Sequence, residues 1–271
     1  MSRPEWLEVP FRDHLKTPFH QLLDIAAALP NVIEQGYQIR GSDPTSRLFA
    51  IQGVIESCWK IDAELRQFYE ELERTSLGPL YWPELSKEDN PADDAQLGKV
   101  FPVAFHFLNL RMAHICMLYW ASLVILWSGL SYTYKIIANL RRIVTKCLDS
   151  NCCEDSAHET ACSGSMEARK LRSAISKINN LPPLEHRQDV VSISRNICQS
   201  VEYCMHDELQ GLWPILAYFP LKVAVETFND YPDCSRELLW AKAVMEKVSD
   251  SSVRLLKFLS RPVTRKAYVP V

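Results

Sequence analysis

Between Arg111 and Lys135 no residue carries a formal charge, and "RMAHICMLYWASLVILWSGLSYTYK" is the most apolar stretch of the chain. A run of this kind has two homes, the hydrocarbon of a bilayer or the middle of a protein core. His114, Ser122, Ser128, Gly129, Ser131 and Thr133 dilute it. A break at Ser128–Gly129 would leave too few residues to cross ~30 Å of hydrocarbon. The expectation is therefore a core helix and no membrane, with a membrane-associated protein built on residues 112–134 as the alternative left open.

A core helix needs partners, and the rest of the chain supplies amphipathic ones. Residues 19–40 read as helix with a bend or break at Pro30, because proline removes a backbone donor and crowds the preceding turn. Asp43 and Pro44 form a start signal for a helix over 44–74. There Leu48, Ile51, Ile55, Trp59, Leu65, Phe68 and Leu72 recur mostly three or four apart and make one apolar face. Further helices are predicted over 101–128, 131–148, 167–180, 187–209, 212–229 and 234–260, the last capped by Asp233. Residues 78–100 and 149–168 have no periodicity and read as polar surface loops. No period-two run stands out. The predicted fold class is all-α: a single domain over 1–271 with about eight helices.

Composition removes several classes of function. Eight glycines among 271 residues leave few positions for positive φ, and neither G-x-G-x-x-G nor G-x-x-x-x-G-K-[ST] occurs. A formal net charge of −3 argues against a dominant nucleic-acid surface, which needs excess positive charge. The nine cysteines are odd in number, and several lie in apolar helical patterns, where cysteine acts as a small hydrophobe. With no signal-peptide core in "MSRPEWLEVPFRDH", they are expected to be free thiols in a reducing compartment.

Cys152, Cys153, His158 and Cys162 fall close together, but no C-x-x-C pair exists, and adjacent cysteines chelate one tetrahedral ion awkwardly. A plain polar loop is the expectation, with no metal. Cys204 and His206 point to different faces of a predicted helix. No G-x-S-x-G or H-E-x-x-H is present, and His20 with Asp24 reads as a helix-surface pair. No catalytic residue, cofactor-binding residue or cofactor is predicted. The chain is not expected to be an enzyme.

The order of several stretches says more. "WLEVPF", "LLDIAAALP", "LYWP", "FPVAFHFLNLRMAHICMLYWASLVIL", "SRNICQSVEYCM", "FPLKVAVETF" and "SRELLWAKAVMEKV" follow one another from Trp6 to about residue 250. Together they resemble the C-terminal regulatory domain of fungal-specific zinc-cluster transcription factors. The resemblance implies a helical domain in which the apolar run is buried. It also implies an N-terminal DNA-binding module of six cysteines, whereas residues 1–57 contain none. No direct DNA binding by this chain is therefore expected.

By resemblance, the chain is a transcription-regulator-like protein of the nucleus, with the cytoplasm as alternative. It would control a metabolic pathway, secondary metabolism included. Its partners would be the transcription machinery or a zinc-cluster factor, and a homodimer is open. A small apolar effector would meet His106, Tyr119 and Tyr203, which are predicted within or beside the apolar helices. The rival reading is an enzyme or accessory protein of a biosynthetic pathway on the same scaffold.

Overall fold

Helix α1 (Pro18–Ala26) carries Pro18 in its first turn, where the missing N–H has no helical partner to lose. The expected break falls at Ala27–Ala28, just before Pro30, so that Pro30 opens α2 (Leu29–Gln38) instead of ending α1. The structure is a computed structural model that describes residues 15–39, 44–150, 180–205 and 213–250, with Glu5, Phe11, Ser173 and Ser176. Asp43 and residues 151–168 of the predicted loop lie outside them, as do nearly all of the predicted helix 167–180 and the part of the last helix beyond 250; residues 149 and 150 of that loop are helical.

Helix α3 (Pro44–Thr75) starts at the predicted proline. Leu48, Ile51, Ile55, Leu65, Phe68 and Leu72 are buried, as their spacing requires. One acid, Asp62, sits on the same stripe and is buried too.

The fold is mostly helical, but the strictly all-α class does not hold. Strand β1 (Tyr81–Leu85) lies inside the predicted loop, and β2 (Val103–Phe107) takes the start of the predicted helix 101–128. They pair antiparallel, from Tyr81 opposite Phe107 to Leu85 opposite Val103. Tyr81, Trp82, Val103, Phe105 and Phe107 are good strand formers. Pro83 argues against a central strand, but both members of a two-stranded ladder are edges, where proline is tolerated. In the connection, Gly98 takes φ 75°, a left-handed conformation that glycine adopts at no steric cost.

The next helix starts late because Asn109 caps it: its Oδ1 accepts the Met112 N–H at 2.9 Å. Helix α4 (Leu110–Ser150) then runs without interruption, merging two predicted helices. Ser128 and Gly129 lie on its exposed side, while Leu126, Trp127 and Leu130 are buried around them. A helical glycine costs only about 1 kcal/mol relative to alanine. That is too little to break a helix anchored on both sides of it. The hydroxyls of Ser122 and Thr133 donate back to the carbonyls of Leu118 and Leu130. By length and composition Leu110–Leu140 could cross a membrane, so the argument from a short run fails. Of its most apolar window, 72% is buried inside the protein.

The remaining elements are α5 (Val190–Cys204), α6 (Trp213–Asp230) and α7 (Ser235–Asp250), with 3-10 turns at Glu185–Gln188 and Pro232–Cys234. Seven α-helices are seen among the described residues, roughly the number predicted.

Contacts gather into two compact units, Met1–Thr75 with Ile125–Val190, and Ser76–Val124 with Val191–Val271. In the first, α1 and α2 pack on α3 around Leu22, Leu29, Val32 and Leu48. In the second, α6 packs on α7. Its core includes Trp120, Ile197, Val201, Leu221, Phe228 and Val244. Arg195 of α5 bonds Glu237 of α7 through Nη2 at 2.7 Å and Nε at 3.2 Å.

Candidate functional site

Of the three residues expected to meet an effector, two come together. His106 lies on β2, not on the apolar helix, and its ring meets that of Tyr203 edge-on with centroids 5.7 Å apart. Tyr203 also meets Phe107 at 5.3 Å. Glu84 Oε2 is 3.5 Å from His106 Nε2, and the other carboxylate oxygen accepts the Trp82 indole N–H at 3.0 Å. Burial, with Cys204 beside it, pushes the Tyr203 phenol up. Tyr119 is buried on α4, at 8% exposure.

A small cavity of about 20 Å³ in the same unit is lined by Ser86, Asn90, Glu202, Trp240 and Lys247, among others, and by none of these three. It has room for about one water.

Cys152, Cys153, His158 and Cys162 lie outside the described residues. Cys58, Cys116, Cys198, Cys204 and Cys234 are buried. Burial pushes the Cys58 thiol up to about 11 and that of Cys204 up to about 12. Such thiols stay protonated at neutral pH and are poor nucleophiles. His20 pairs its Nδ1 with the Thr17 hydroxyl at 2.8 Å, and Asp24 takes the Lys16 ammonium. Burial holds His114 below the usual histidine range, which keeps it neutral.

The most organised chemistry is elsewhere, around Asp62 in the first unit. Asp62 is 3% exposed and Arg187 6%. Arg187 donates from Nε at 3.1 Å and from Nη2 at 2.8 Å, both to Asp62 Oδ2. The second oxygen, Oδ1, accepts the Trp127 indole N–H at 2.9 Å. Arg66, one helical turn on, adds a third donor to Oδ2 at 3.3 Å. Burial alone would raise the Asp62 pKa; hydrogen bonds from Arg187 and Trp127, and the charges of Arg187 and Arg66, outweigh it and hold the carboxyl below its usual range.

Aromatic rings surround the pair. The Arg187 guanidinium lies 4.6 Å from the centre of the Trp59 ring, and His186 meets Trp127 at 5.4 Å. Trp59 Nε1 donates to the Tyr134 hydroxyl at 3.0 Å, which donates onward to the Pro182 carbonyl at 2.7 Å. The carrier segment contains Glu185 at φ 51°, a left-handed conformation that costs a residue with a side chain on the order of 1 kcal/mol.

Sequence reasoning missed this constellation. Its one local signal is an acid on an apolar stripe, Asp62 between Cys58 and Leu65. Arg187 lies 125 residues away, and nothing in its own segment points to Asp62.

In comparisons with known proteins, no family model, no curated protein and no solved structure matches the chain.

Proposed function

We propose that this chain is a transcription-regulator-like helical module that acts through protein partners or a small effector, in the nucleus, on a metabolic pathway. One observation carries the reading, namely where the resembling stretches lie. "LLDIAAALP" covers the α1–α2 break, "AHICMLYWASLVIL" a buried part of α4, and "FPLKVAVETF" most of α6. Leu22, Trp120 and Leu221, one from each, are all buried. Stretches that resemble a helical regulatory domain therefore serve here as core, as such a domain requires. Within this reading, the His106–Tyr203 ring pair beside Glu84 is where a small ligand would meet the hairpin, with Tyr119 packed inside α4.

The test is deletion of the gene, followed by transcript and metabolite profiling. A regulator changes transcripts of pathway genes, and the purified chain converts no intermediate. Unchanged transcripts, with one accumulating intermediate that the purified protein consumes, would establish the rival reading of a pathway enzyme.

A further inference from the structure

We infer that the Asp62 site is a guanidinium-recognition pocket, that Arg187 is its internal occupant, and that an arginine-bearing peptide is the ligand it takes when residues 181–189 lift away. The inference does not depend on a role in transcription.

The pocket has the parts that distinguish arginine from any other cation. One carboxylate oxygen, Asp62 Oδ2, accepts two N–H groups of one guanidinium, from Nε and Nη2. The flat face of Trp59 lies against that group at 4.6 Å, and the Trp127 indole holds the carboxylate in place through its other oxygen. A planar, weakly hydrated, multi-donor ion suits this arrangement; a compact ammonium does not.

The occupant sits on a carrier suited to exchange. Arg187 belongs to a turn of four residues, Glu185–Gln188, held by its own backbone bonds from Arg187 to Leu184 and from Asp189 to His186. Its ties to α4 include a hydrogen bond from the Tyr134 hydroxyl to the Pro182 carbonyl and the contact of His186 with Trp127. Glu185 is held in a conformation that release would relax. Solvent reaches the rim: Arg66 touches Oδ2 while its side chain is 58% exposed. Arg66 is also the nearby cation that can cover Asp62 while the pocket changes occupants.

The probes are N-acetylarginine amide and, as control, N-acetyllysine amide, added to the full chain while the indole N–H signals of Trp59 and Trp127 are followed by NMR. In Arg187→Ala the arginine probe should bind and shift both signals. Wild type should bind it about tenfold more weakly, because its own strap competes for the pocket. Arg187→Ala with Asp62→Asn should lose binding. A folded Arg187→Ala with no response, or with equal response to the lysine probe, overturns the inference. If Arg187→Ala does not fold, hydrogen exchange of wild type decides. An arginine-bearing peptide should speed exchange at residues 184–189, and unchanged exchange at saturating peptide overturns the inference as well.

Discussion

The polar knot around Asp62 and the aromatic cluster on the hairpin hold their parts of the molecule in opposite ways. At Asp62, Arg187 and Trp127 are joined to the carboxylate by short directional bonds in a buried site. On the hairpin, Tyr81 meets Phe105 at 4.7 Å and Trp120 at 5.3 Å, and Tyr203 meets His106 and Phe107, with Glu84 at the edge of the rings beside His106. A directional site fails when one partner leaves, because the other is stranded without water or charge to satisfy it. Ring contacts are many and individually weak, so they yield by degrees.

The sharpest way to break this contrast is Asp62→Ala. It strands the Arg187 charge and should cost ~3–5 kcal/mol in denaturant unfolding. Asp62→Leu combined with Arg187→Met should recover most of that, since an apolar pair of similar volume avoids the desolvation penalty. If the single change costs no more than the double, the knot is ordinary packing.

The same carboxylate shapes the acid limb of stability. Its folded pKa is depressed, so its contribution is present above the unfolded value near ~3.9 and is lost as pH falls through the lower folded value. Urea midpoints of wild type should therefore fall below about pH 4, and the Asp62→Leu, Arg187→Met double should fall less steeply. An equal slope in both would place the acid sensitivity elsewhere.

On the hairpin side, Trp120→Phe keeps a ring but loses volume at a position 3% exposed. A loss of ~1–2 kcal/mol is expected, with a native circular dichroism spectrum. A loss as large as that of Asp62→Ala would erase the distinction between the two regions. The smallest effect belongs to the boundary between strand and helix. Asn109→Ala removes the cap on the Met112 N–H and should cost ~1 kcal/mol by thermal unfolding. Asn109→Ser should restore most of it.

Where the reading of the chain and the structure part, the cause is local. The 101–128 helix prediction followed apolar content, but Val103–Phe107 pairs with Tyr81–Leu85, and Asn109 resets where the helix begins. The apparent break at Ser128–Gly129 marked only the exposed side of α4. Among the residues named for an effector, His106 and Tyr203 meet because a strand and α5 bring them together, not because they share a helix face. By contrast, the stripe on α3 was legible in six of its seven residues, Trp59 being half-buried, since helical period and burial state the same constraint.

Sequence by itself determined that the chain is mostly helical and that Pro44 opens a long amphipathic helix. These follow from periodicity, which acts over a few residues. Only the tertiary structure decided that Asp62 is charged, buried and answered by Arg187. That pairing spans 125 positions, and its strength comes from the exclusion of water, which no local pattern encodes.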